Sequence, residues 1–356
     1  MLQYAYYGAW PNGRASALGA EGSEFESRCP DFSFRVFMNS AEQKLPYLTF
    51  HHRPCRGYEI GGDGEHHIIT SPVFESVVDF SSLVLSLRYP VKQKDWLLSE
   101  VQVRQDGQWS KFYQLAVYSK KLSHSFLEQE DESGSVCVDV LQLKRPAQAY
   151  RFRLTIGGQA ALPEVFVCLT DVNAEQDPCF DLLPAGERCL PVEPISQMQL
   201  PVSLNDRARM CSPTALTMAL NALGFKSDAL KTAAAVYDDR AGIYGNWTLN
   251  TAYACQRGAD AFVTRFQRLG QLQEFLTKDS FILASIAYGR TELSGAAVNQ
   301  TPGHLVLLCG WKDHQICVAD PAAAETKDVV RFYPASEFAR AWLLRKRGLA
   351  YIVRKK

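Results

Sequence analysis

Three residues able to do chemistry stand at three structural boundaries of the sequence. Cys211 opens the stretch "CSPTALTMALNALGF", in which Leu216, Ala219, Leu220 and Leu223 recur at intervals of three and four. That spacing predicts a helix with Pro213 in its first turn and Gly224 at its end. A thiol at a helix start faces unpaired backbone N–H groups and the positive end of the helix dipole, and both favour thiolate. His304 begins the apolar run "HLVLLCGW" directly after Pro302 and Gly303, and Asp320 ends "QICVAD" directly before Pro321. The polar link "KDH" between these runs predicts a hairpin with its turn near Asp313. Its far ends would then lie within a few rungs of each other, the arrangement in which a carboxylate orients an imidazole that takes a proton from a thiol.

Taken singly, each residue has an ordinary structural explanation. Cysteine is often buried as a small apolar group, and Asp before Pro is often turn chemistry. In combination and in this order they fit a thiol nucleophile, its general base and an orienting carboxylate. Metal readings are weaker. His51-His52 and His66-His67 have neither the i,i+4 helical spacing nor a Cys-x-x-Cys partner, so they are expected in surface loops. His304 and Cys309 are an odd number of residues apart on one predicted strand and point to opposite faces, which argues against a zinc set with Cys317. The chemistry requires no metal and no organic cofactor.

Such residues need a scaffold, and the chain divides into regions of different grammar. Residues 1–40 show no lasting period and are expected to form a loosely structured extension. Residues 41–175 carry short or alternating apolar runs such as "SVVDFSSLVLSLRYPV", "SVCVDVLQLKR" and "PEVFVCLTDV", bounded by turn residues. This predicts an antiparallel β-sandwich, with a hairpin turn at Asp106-Gly107. Residues 176–197 are rich in Pro, Asp and Glu and read as a linker, so a fragment beginning near residue 190 is expected to stay folded. In residues 198–356 predicted helices ("PTALTMALNAL", "SDALKTAAAVY", "TLNTAYACQR", "LGQLQEFL", "SEFARAWLL") mix with strands ("FILASIAYG", "HLVLLCGW", "QICVADP", "VVRFYP", "LAYIVRK"). The helices largely precede the strands, which makes the fold class α+β.

The 356 residues suffice for two full cores, and 38 basic against 38 acidic residues leave no net field favouring nucleic acid or a membrane surface. The basic run "LLRKRGLAYIVRKK" at 343–356 reads as solvated surface. No apolar run approaches the roughly 20 residues of a membrane span. The start of the sequence has no secretion-signal pattern, so the expected location is cytoplasmic, with secretion left open for a trimmed signal. Ten cysteines without a Cys-x-x-Cys pair are expected to be mostly reduced and buried, although Cys179 and Cys189 could close a loop in an oxidising compartment.

The stretches "MCSPTALTMALNALG", "GIYGNWTLNTAYA", "GHLVLLCGW" and "VADPA", in this order over roughly 195–356, resemble the papain-like cysteine peptidases related to the bacteriocin leader-processing (C39) peptidases. The preceding sandwich is similar to one attached to some members of that family. The resemblance implies a papain-like α+β domain over 198–356, with Cys211 as nucleophile, His304 as general base and acid, and Asp320 as orienting carboxylate. It also implies a polypeptide substrate cut beside small residues such as Gly or Ala. Two positions depart from the family pattern. Cys-Gly-Pro reads Cys-Ser-Pro, and the glutamine expected a few residues before the cysteine as oxyanion donor is replaced by Asn205, the nearest upstream glutamines being Gln197 and Gln199. Asn205 is assigned the donor role, with Gln197 as the alternative and the Cys211 N–H as second donor. Two Gly-rich segments, 240–250 and 288–303, are expected to border the cleft, giving Tyr244, Gly245, Asn246, Trp247 and Gly303 as substrate contacts. The expected function is a cysteine peptidase acting on a peptide or related amide. The alternatives are a catalytically weak or inactive binding protein, with a glycan or protein ligand on the sandwich, and an acyltransferase on the same fold.

Overall fold

The computed structural model of the protein describes residues 34–35, 47–52, 58–62, 66–89, 95–120, 123–158, 162–174 and 183–356. Nearly all of the expected extension lies outside the described residues, as does Cys179. The N-terminal part is a network of thirteen described strands. Its main members are β1 (Tyr47–His52), β2 (His66–Thr70), β3 (Phe74–Arg88), β4 (Trp96–Gln105), β5 (Tyr113–Ser119), β6 (Val140–Gly157) and β7 (Glu164–Thr170). They run antiparallel in the order β1-β7-β3-β6-β4-β5. The register of β6 against β3 breaks between Gln142 and Ala149, after which β6 pairs with β4 and β2. This irregularity lets one strand pair with β2, β3 and β4 along its length. Asp106 and Gly107 both take positive φ (48° and 80°), the conformation a two-residue Asp-Gly hairpin turn requires.

The two histidine pairs lie in strands rather than surface loops. Strand alternation sends His51 and His52 to opposite faces of β1. Burial pushes the His52 ring down to about 3, so it stays neutral, and its Nε2 lies 2.7 Å from the Tyr150 hydroxyl. His51 stacks on Phe166 at 4.3 Å and meets Glu164 at 2.8 Å. Among the described residues no group of three or more His, Cys, Asp or Glu could hold a metal ion.

The C-terminal part contains α1 (Cys211–Ala222), α2 (Ala229–Val236) and α3 (Trp247–Gln256). Then come β8 (Asp260–Arg265), β9 (Ser280–Tyr288), β10 (Thr301–Lys312), β11 (Gln315–Ala319), β12 (Val330–Pro334) and β13 (Leu349–Arg354). These strands form an antiparallel sheet in the order β8-β13-β9-β10-β11-β12. Strand β8 was not foreseen, because it is buried along its whole length and its sequence shows no period of two. Helix α1 is buried on every side from Ser212 to Leu220. Each of its fully buried leucines contributes roughly 1.5–3 kcal/mol of transfer free energy. It ends where Gly224 takes φ 88° and Phe225 N–H reaches back 2.8 Å to the Leu220 carbonyl. That closure needs a left-handed residue, hence glycine. No helix among the described residues is long and apolar enough to cross a membrane.

Residues 31–356 form one compact unit. Leu249 and Ala252 of α3 pack into the core of the sandwich, while Val84, Phe166 and Cys168 of the sandwich belong to the core around α1. Polar contacts cross as well: Thr49 meets Thr264 at 2.9 Å, and Val263 N–H donates to Ser86 Oγ at 3.2 Å. The buried carboxylate of Asp139, from the turn before β6, accepts from the N–H groups of Trp247 and Thr248 at 2.6 and 3.3 Å and so caps α3. The described end of the predicted linker is also bound to the sheet. Arg188 and Cys189 pair with β10, and Gln197 N–H donates to the Pro321 carbonyl at 2.8 Å.

Candidate active site

Cys211 is the first residue of α1, and the helix start carries no side-chain cap. Its first N–H groups are therefore free to face the thiol. The β10–β11 hairpin turns through Asp313 and His314 with φ of 48° and 60°. Two positive φ values in succession make the tight hairpin turn whose twist matches the strands. At its open end His304 Nε2 lies 2.7 Å from Asp320 Oδ1, which leaves Nδ1 for Cys211, the thiol that interacts electrostatically with the same ring. Asp320 is fully buried and saturated with donors: Ala322 N–H at 2.9 Å on Oδ1, and the Tyr333 hydroxyl at 2.5 Å on Oδ2.

The electrostatics follow from this chain of contacts. Burial alone would push the Cys211 thiol up, but the hydrogen bond and charge of His304, with the N–H groups of Leu305 and Ser212, hold it below its ordinary value. Burial likewise opposes charge on His304, yet Asp320 and then Cys211 raise the ring from 6.5 to about 10. Asp320 stays below its ordinary value despite burial because His304, Tyr333 and Ala322 N–H favour the carboxylate. Both shifts favour the charged forms, thiolate on Cys211 and imidazolium on His304, over their ordinary balance. Elsewhere burial pushes Cys168 up and Cys255 to about 12, and the hydrogen bond with Cys317, then burial, push Cys309 up. Cys317 is lowered by thiol hydrogen bonds from Cys309 and Cys189, but it is buried.

The two oxyanion candidates differ in placement. Asn205 is exposed on a single helical turn, Leu204–Arg207. Gln197 is buried, and its Nε2 donates at 2.7 Å to the Arg207 carbonyl, four residues before Cys211. Through its own N–H, Gln197 is tied to Pro321, next to Asp320. It thus stands between the helix start and the Asp320 loop. Ser212 accounts for the Cys-Ser-Pro variant: its buried hydroxyl bonds to Asn250 Oδ1 at 3.0 Å and to the Tyr351 hydroxyl at 2.9 Å.

Tyr244 is part-buried beside Arg209, whose guanidinium lies 5.7 Å from its ring and donates to the Gly242 carbonyl. The loop is thereby fastened two residues upstream of Cys211. Gly245 is part-buried with open space where a Cβ would point, and Gly303 is exposed. Asn246 lies inside the fold, contrary to expectation. Its amide caps α3 by accepting from Leu249 N–H at 3.0 Å and donates to Asp238 at 2.9 Å, and its full burial keeps it from a substrate. Trp247 is part-buried against the core. Tyr333 was not foreseen, since in "VVRFYP" it reads as one more apolar strand residue and only the packing of β12 beside β11 turns its hydroxyl onto Asp320.

Residues 189–349 match the Peptidase_C39 like family, and residues 51–168 match the Peptidase C39 N-terminal domain. Among solved structures, the chain is similar to a double glycine motif protease from an AMS/PCAT transporter in complex with the leader peptide. That match has 18% identity and TM-score 0.33, covering 49% of this chain and 100% of the other. A putative C39-like peptidase from Bacillus anthracis matches at 16% identity and TM-score 0.35, over 48% of this chain and 98% of the other. The peptidase domain of Streptococcus ComA, a bi-functional ABC transporter, matches at 16% identity and TM-score 0.33, over 46% and 98% respectively. Among curated proteins none matches the chain.

Proposed function

We propose that this chain, which belongs to the peptidase C39-like family and carries that family's N-terminal domain, hydrolyses peptide bonds through Cys211, His304 and Asp320. In this reading the Cys211 thiolate attacks the scissile carbonyl, and imidazolium His304 gives its proton to the leaving amine. Neutral His304 then takes a proton from the water that releases the acyl-enzyme. Asp320 fixes the ring and stabilises its charged form. Gln197 takes the oxyanion role in preference to Asn205, because its amide is buried beside the helix start and keeps one N–H beyond the bond to Arg207. The Cys211 N–H is the second donor.

The observation that carries this reading is the buried pair of His304 and Asp320 at 2.7 Å, backed by the Tyr333 hydroxyl, with the His304 ring holding the Cys211 thiol below its ordinary value at the start of α1. A peptide-library digest with wild type and Cys211→Ala tests it. Cleavage beside Gly or Ala, lost in the variant, is expected. Cleavage only beside bulky or charged residues would refute the small-residue preference. A Cys211 that labels with electrophiles yet cuts nothing would move the reading to acyl transfer.

A further inference from the structure

Most of the basic run at 343–356 has partners of its own. Arg345 pairs with Glu292, Arg354 with Asp260 and Lys355 with Asp279, while Arg347 donates to the Ala174 carbonyl. Lys346 differs. Its amino group has no ion-pair or hydrogen-bond partner among the described residues, yet it is half-buried. Burial, and then the nearby Arg265 cation, lower its pKa. Its place is specific: a Cβ built on Gly303 would lie 3.4 Å from Lys346 Nζ and 3.9 Å from its Cε. Gly303 is exposed and is bonded directly to His304.

An ammonium drawn partly out of water without a counter-charge is unfavourable, and an anion from outside the fold is its natural complement. His304 protonates the leaving amine in the reading above, so the backbone leading into it borders the leaving half of the substrate. A polypeptide's ordinary anions are carboxylates. We propose that Lys346 and the exposed backbone at Gly303 form a subsite for a carboxylate just beyond the cut bond, supplied by an acidic side chain or by the chain terminus. This rests on the peptidase reading.

Protection of Cys211 from iodoacetamide by short peptides tests the subsite without requiring turnover. Three peptides that share Ala-Gly ahead of the bond are compared: one followed by Asp with an amidated end, one by Asn with an amidated end, and one by Asn with a free carboxylate. One or both carboxylate peptides should protect at concentrations roughly two- to fivefold lower than the neutral one, the range of a partly exposed ion pair. Which of them does so identifies the source of the carboxylate. Lys346→Met should abolish the advantage and Lys346→Arg should retain it. Equal or absent protection in wild type, or an advantage that survives in Lys346→Met, overturns the subsite alone. If Cys211 does not react ahead of the other cysteines, the peptidase reading falls and takes the subsite with it.

Discussion

Replacing Tyr333 by Phe removes one hydroxyl and leaves the ring, so no cavity of consequence forms. What is lost is a hydrogen bond of 2.5 Å to Oδ2 of a fully buried carboxylate. Hydrogen bonds to charged groups contribute about 1.5–3 kcal/mol, and here the acceptor is left without water to replace the donor. The same loss removes one of the groups that favour the carboxylate, so Asp320 should move up. The pH dependence follows in sign. Asp320 is depressed in the fold, so its contribution is present above 3.8 and is lost as pH falls through the folded value. Urea unfolding of Tyr333→Phe should therefore show its full deficit near pH 7 and a smaller one in acid. A loss below about 0.5 kcal/mol, or one that does not change with pH, would mean that Tyr333 only fills space and that Asp320 is held by His304 and Ala322 alone.

Alkylation of Cys211 should persist below pH 9.0, the ordinary thiol value, while turnover should fall as His304 loses its proton near pH 10. The stability drawn from that raised histidine is complete below pH 6.5 and disappears as pH passes about 10, which thermal melts across the range would register. Gln197→Ala should lower turnover roughly 100-fold with little change in substrate binding, whereas Asn205→Ala should not; the reverse outcome returns the donor role to Asn205. Asp139→Ala should cost about 1–2 kcal/mol by uncapping α3. Burial holds Asp139 up at about 7, so wild-type stability should decline from pH 3.8 toward 7, while Asp139→Asn keeps the cap and loses that decline. A fragment starting near residue 190 would expose Leu249, Ala252 and Phe262 and should aggregate. A soluble fragment with a cooperative melt would show that the sandwich is dispensable for folding.

Much of the site was legible because its signals are local. The start of α1 was marked by Pro213 and the apolar spacing after it, its end by Gly224, and the hairpin by two strands joined through "KDH". Strand β8 was not legible: burial on both faces leaves Asp260–Arg265 with no alternation, and half of its residues are polar. Asn205 and Gln197 could not be ranked from spacing, because a donor's usefulness depends on burial beside the helix start, which sequence distance does not encode. Asn246 looked like a cleft residue until its amide was found committed to the α3 cap. The linker composition of 176–197 suggested two separable domains, yet α3 is shared between two cores. The chain by itself determined which residues could act and which short elements carry them, since propensity, turn chemistry and periodicity act over a few residues. Only the tertiary structure decided what each side chain touches. The hydroxyl of Tyr333 on Asp320, the cap from Asp139 and the place of Lys346 beside Gly303 are all set by contacts between residues far apart in the chain, where packing rather than local preference chooses the neighbour.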